Sequence, residues 1–114
     1  MDIDDRKLQV AKKEGADIVV NLKKEDYVKV VMELTDKLGV DAVIDFVNST
    51  KSVEDYTQIL RRKAKLVLLG LFGGELRFSL VSIPTRAYKI IGSYTGSLQD
   101  LIELVSLAKK NFPV

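Results

Sequence analysis

The residues of this chain that could do chemistry fall in five stretches, 2–5, 21–24, 47–50, 70–75 and 93–96, each rich in acids, amides, hydroxyls or glycine. Gly70, Gly73 and Gly74 would let a backbone approach a ligand closely. Their order, Gly-Leu-Phe-Gly-Gly, is neither a Walker loop nor a dinucleotide fingerprint, and a plain glycine-rich turn after a buried strand explains it equally well. Asp2 has two readings. It is either a solvated residue at a helix start or an acid that accepts hydrogen bonds from a nucleotide ribose. Asp45 closes an apolar run, but no second acid or metal ligand is spaced to work with it, so it is read as structural. The basic run Arg61-Arg62-Lys63, with Lys65, is read as a solvated helix end, and no aromatic residues interleave with it as single-stranded nucleic acid would require.

The elements that would carry these loops can be read from the apolar pattern. Residues 18–20, 42–46, 66–69 and 89–91 are short runs rich in Val, Ile and Leu, as expected of strands buried on both faces. Helical patterns lie between them. Leu8 and Ala11 follow the possible caps Asp4 and Asp5, with Gly15 as the stop. Tyr27, Val30, Val31, Leu34 and Leu38 predict a helix running up to Gly39, and Val53, Tyr56, Ile59 and Leu60 predict another, with Ser52 as its cap. Leu98, Leu101, Ile102, Val105 and Leu107 form a last amphipathic pattern, from Ser97 towards Pro113. Strands alternating with helices predict an α/β fold, with a mostly parallel sheet and helices on both faces. The segment 75–86, interrupted by Pro84, is expected to be an irregular crossover with a short edge piece. In such a sheet ligands bind beyond the carboxyl ends of the strands, where the loops named above would lie.

Composition narrows the chemistry further. The chain has 114 residues, the size of one domain. With 18 Lys plus Arg against 16 Asp plus Glu, its net charge of +2 gives no field that argues for a nucleic-acid or membrane partner. It contains no Cys and no His, so it offers neither a Cys/His zinc site nor a cysteine or imidazole catalyst. The longest apolar run, 66–72, is far short of the roughly 20 residues of a spanning helix, and a cytoplasmic location is expected.

Asp2-Ile3-Asp4-Asp5-Arg6-Lys7, Ala11-Lys12-Lys13-Glu14-Gly15-Ala16-Asp17 with Val19-Val20-Asn21, and Gly39-Val40-Asp41-Ala42-Val43-Ile44-Asp45 follow one another in a familiar order. So do Leu68-Leu69-Gly70-Leu71-Phe72-Gly73 and Ile91-Gly92-Ser93. Together they resemble the later part of the NAD-binding domain of medium-chain, zinc-type alcohol dehydrogenases, in wording similar to the archaeal NAD-dependent members. The resemblance implies a partial Rossmann-type domain over 1–114, without a counterpart of the first strand, the Gly-x-Gly-x-x-Gly turn or its helix. It implies that Asp2 takes the ribose hydroxyls and favours NAD over NADP, with Lys7 beside the same ribose. Phe46 and Val47 would line the cofactor groove. Leu69, Gly70 and Leu71 would present backbone to the nicotinamide carboxamide, and Ser93 and Thr95 would complete that pocket. The last strand would pair with its copy in a second subunit. The complete enzyme would move hydride between a small alcohol or aldehyde and NAD, with zinc held in a separate catalytic domain. This stretch alone would bind NAD weakly or not at all and would be inactive. A stand-alone flavodoxin-like or receiver-like α/β module, for interaction or oligomerisation, is the alternative.

Overall fold

The computed structural model describes residues 1–111, and Pro113 lies outside them. Helix α1 (Asp5–Lys13) opens on Asp4, whose side chain accepts the Arg6 N–H. The capping reading of Asp4 therefore holds. Leu8 and Val20 are buried in this segment, and Asp2 and Asn21 form one isolated parallel bridge. Residues 18–20, expected as a strand, do not form one. Backbone pairing reaches only Val20 and Leu22, through bonds with Asp2, and Ile18 is left exposed. A strand needs a neighbour along its length, and here the neighbour is a single residue.

Helix α2 (Tyr27–Leu34) starts on the cap Asp26 and stops four residues short of the predicted end at Leu38. The cause is a non-glycine Schellman turn. Asp36 adopts φ 50°, Lys37 N–H reaches the Met32 carbonyl at 2.7 Å, and the Thr35 hydroxyl binds the Val31 carbonyl at 2.8 Å.

Three parallel strands follow, β1 (Val40–Asp45), β2 (Leu60–Leu68) and β3 (Lys89–Gly92), in the order β1-β2-β3. The predicted parallel α/β class is thus what the chain adopts. Helix α3 (Thr50–Ile59) crosses from β1 to β2 and buries Val53, Tyr56 and Ile59. These pack against Val43, Leu60, Ala64, Leu66 and Tyr88, with α2 residues Tyr27, Val31 and Met32 at the margin. Ile59 and Leu66 are each 1% exposed, and burying such a side chain stabilises by about 1.5–3 kcal/mol. Ser49, not Ser52, is the α3 cap. Ser52 is the third helical residue, and the two side chains cap each other's backbone reciprocally.

The basic run is not a helix end. It lies within β2, where Arg61, Arg62, Lys63 and Lys65 are exposed while Leu60 and Ala64 are drawn into the core. Register slips there: Val40 pairs with Leu60, yet Ala42 pairs with Lys65, and Lys63 takes φ 65° at the resulting bulge. Gly39 at φ 83° lies against the same turn, where a Cβ would come within 2.4 Å of the Ile59 carbonyl oxygen.

The crossover from β2 to β3 is irregular, as expected, but in place of the expected short edge piece it holds the short helix α4 (Ser82–Arg86). Helix α5 (Leu98–Asn111) is entered through Ser97, which exchanges hydrogen bonds with Asp100. Its apolar stripe is not buried: Leu101, Ile102 and Val105 are exposed. The sheet is likewise covered on one face only, and on the other Ala42, Ile44 and Ile91 meet solvent. The Cα radius of gyration, 16.0 Å, records this openness against about 13 Å for a compact domain of this length.

Candidate functional site

The carboxyl ends of the three strands share one level, because Asp45 pairs with Leu68 and Leu68 with Gly92. The loops that leave them are stitched together. Leu69 and Gly70 N–H groups both donate to the Asp45 carbonyl (2.9 and 3.1 Å), Phe72 N–H donates to Val47 (3.0 Å), and Ser93 N–H donates to Leu68 (3.0 Å). Phe46, Val47, Leu69, Gly70, Leu71 and Ser93 are therefore brought to a single edge, with Thr95 two residues further on. Phe46, Val47 and Leu71 are exposed there, an apolar surface beside free polar backbone.

Two backbone groups at this edge suit an amide ligand. The Leu69 carbonyl and the Leu71 N–H make no hydrogen bond among the described residues, so one acceptor and one donor stand two residues apart. That is the pairing a carboxamide presents in reverse. Gly70 between them has no room for a side chain, since a Cβ would lie 2.3 Å from the Val47 carbonyl carbon. Asn48, at φ 62°, donates from Nδ2 to the Gly70 carbonyl at 2.6 Å, and its buried Oδ1 has no partner among the described residues. Asn48, Ser49, Leu71 and Gly74 line a cleft of about 320 Å³ under the glycine loop.

Asp45 organises this edge from below. It is 4% exposed and accepts from the Val47 N–H at 2.8 Å and the Ser52 hydroxyl at 3.1 Å. Burial opposes its charge, but the N–H groups of Val47 and Asn48 and the hydroxyls of Tyr56 and Ser52 outweigh that, and its pKa falls below the ordinary value. Asp45 in turn helps push the Tyr56 hydroxyl, already disfavoured by burial, up to about 12. The structural reading of Asp45 holds, and its reach is wider than the sequence suggested. Neither the Asn48 clamp nor the Ser49–Ser52 box was anticipated, although the spacing Asn-Ser-Thr-x-Ser after a strand carries a helix-start signal.

Asp2 and Lys7 stand apart from this edge. Asp2 Oδ1 accepts from the Ile3 and Asp4 N–H groups (2.7 and 3.0 Å), and these bonds, Asp4 foremost, with Lys7 nearby, lower its pKa. The carboxylate is thus charged at neutral pH, and Oδ2 is unengaged among the described residues. Lys7 is exposed on the first turns of α1. The hydrogen bonds of this segment run to Val20, Asn21, Leu22 and Lys24, and none among the described residues joins it to the strand ends.

A parallel sheet with crossover helices, polar loops at the carboxyl ends of its strands and a charged acid beside α1 defines a Rossmann-type α/β domain. The family model described as zinc-binding dehydrogenase matches residues 1–110, and the chain belongs to that family. It is 36% identical over 109 residues to an NAD-dependent alcohol dehydrogenase of Sulfurisphaera tokodaii, covering 96% of this chain and 31% of that relative. It is 37% identical over 98 residues to a D-arabitol-phosphate dehydrogenase of Enterococcus avium, covering 85% and 28%. The crystal structure of the alcohol dehydrogenase of Aeropyrum pernix superposes with a TM-score of 0.86 at 39% identity, covering 95% of this chain and 31% of that one. The chain thus spans about a third of the length of the relatives it matches. Among the described residues no helix is long and apolar enough to cross a membrane.

Proposed function

We propose that residues 1–114 form part of the NAD-binding domain of a cytoplasmic, NAD-dependent alcohol dehydrogenase, holding the cofactor while hydride passes between it and a small alcohol or aldehyde. The observation that carries this reading is the free acceptor and donor pair, Leu69 carbonyl and Leu71 N–H, at an edge flanked by exposed Phe46 and Val47. In this assignment that pair takes the nicotinamide carboxamide, Ser93 and Thr95 close the pocket, and the apolar residues cover the rings. Asp2 accepts from the adenosine ribose through Oδ2, Lys7 lies beside it, and a 2′-phosphate would meet the Asp2 charge. NAD, when bound, supplies the hydride acceptor; the chain's residues orient it. Zinc belongs to a separate catalytic part, since this chain has no Cys or His to hold it. β3, at the edge of the sheet, is assigned to pairing with a second copy.

The test is titration of the isotope-labelled chain with NADH, followed by NMR. Weak binding should shift Phe46, Val47, Leu69, Gly70, Leu71 and Ser93, with no alcohol-dependent NADH formation by the pure chain. Shifts absent from those residues at millimolar NADH, or measurable turnover, would refute the assignment.

A further inference from the structure

At the opposite end of the strands a second cleft, of about 280 Å³, opens beside the first residues of β2 and β3. Arg77 and Arg86 line it together with Thr57, Phe78, Ser79, Ser82 and Tyr88; no Asp or Glu lines it, the nearest carboxylate partner being Glu75 on Arg77. We propose that this cleft binds a small oxyanion, a phosphate or a carboxylate, away from the cofactor edge.

The argument starts from Tyr88. It is 8% exposed, and its hydroxyl donates to the Leu60 carbonyl at 3.1 Å, while its ring meets Phe78 edge-on at 5.5 Å. The phenol is therefore fixed by the core. Its oxygen accepts from Arg86 Nη1 at 3.1 Å, so the buried ring sets the position of an otherwise mobile cation. A guanidinium has five N–H donors in a planar fork, and this bond occupies one. Arg86 makes no ion pair among the described residues, so its charge has no carboxylate partner beside the cleft.

Arg77 faces the same space. Its one ion pair is with Glu75 at 3.3 Å, both side chains being about three-quarters exposed, and such a pair contributes little and yields readily to a better partner. The Ser79 and Ser82 hydroxyls have no partner among the described residues, while Ser82 N–H closes the turn on the Ser79 carbonyl at 3.0 Å. Two forks and two free hydroxyls around one small volume match the oxygens of a single tetrahedral or planar anion.

The experiment is calorimetric titration of the chain with inorganic phosphate and, separately, acetate, at constant ionic strength balanced with chloride. Saturable one-site binding is expected for at least one anion. Arg86→Gln and Arg77→Gln should each weaken it about tenfold or more, the scale of a charge-assisted pair, and Arg6→Gln on α1 should leave it unchanged. Saturation with phosphate alone identifies a phosphoryl ligand, and saturation with acetate a carboxylate. Should Arg86→Gln unfold, Arg77→Gln decides, because that side chain is exposed and supports nothing in the core. Unsaturable heats with both anions, binding unaltered in both cleft variants, or an equal loss in Arg6→Gln overturns the proposal.

Discussion

Replacing Asp45 by Ala should remove the anchor of the whole strand-end edge. The carboxylate receives the Val47 N–H and the Ser52 hydroxyl directly; without it the Val47 N–H is left unpaired, while the Ser52 hydroxyl keeps the Ser49 carbonyl at 2.9 Å. Hydrogen bonds to a charged group contribute about 1.5–3 kcal/mol each. Orphaning the Val47 N–H and weakening the Ser52 bond should therefore cost about 2–4 kcal/mol, against a total of about 6–15 kcal/mol for a domain of this length. With a urea slope near 2 kcal/mol/M, the unfolding midpoint followed by circular dichroism should fall by about 1–2 M. Asp45→Asn keeps one acceptor oxygen and should cost about 1–2 kcal/mol. The pH dependence has a definite sign. Because the folded-state pKa lies below the ordinary value, the stabilisation is complete above the unfolded pKa of about 3.9 and is lost as pH falls through the folded one. Asp45→Asn should flatten the acid limb of stability below about pH 4. A loss under about 1 kcal/mol for the Ala variant, with an acid limb superposable on that of the unmodified chain, would show that the carboxylate does not hold this edge.

Two further outcomes follow from the same geometry. Gly70→Ala forces a Cβ to within 2.3 Å of Val47 backbone, so it should cost about 1–3 kcal/mol and abolish NADH-induced shifts at Leu69 and Leu71; an unshifted urea midpoint would count against the close loop packing. Ser93 N–H donates to β2, so by strand alternation the Ile90 N–H faces the free edge of β3; Ile90→Pro removes that donor, and sedimentation should show a dimer of the unmodified chain giving way to monomer, whereas a monomer in both would dismiss strand pairing at that edge.

What the sequence disclosed and what it hid divide along physical lines. Strands at 42–46, 66–69 and 89–91 were legible because apolar β-branched runs flanked by turn residues have few other ways to be buried. The cap at Asp4 was legible because its rule is local. The failures came where distant contacts decide. Arg61 to Lys65 looks like a helix end, yet burial of Leu60 and Ala64 beside β1 pulls the run into β2 at the cost of a bulge. Residues 18–20 have strand composition and no strand, because pairing is a property of two segments and only Asp2 answers. Asn48 was invisible because its partner, the Gly70 carbonyl, is 22 residues away.

The candidate site divides in the same manner. The sheet-edge residues were found together because a parallel ladder forces the ends of its strands to one level, whatever the loops contain. Lys7 was assigned to the same groove through the resemblance alone, and Asp2 through its reading as a ribose acid as well; in this chain no ladder carries either of them there. Between Asn21 and β1 the only regular element is α2, which touches α3 rather than the strand ends. A cofactor with one end on Asp2 and the other on Leu69 and Leu71 would thus bridge two pieces that the hydrogen bonds leave independent. Bridging raises affinity only when the two half-sites are held at the right separation, for otherwise the cost of ordering them cancels the second contact. Weak NAD binding by the isolated chain is therefore the expected outcome of the NADH titration, and it would follow from the open sheet without any defect in the groups that would touch the cofactor.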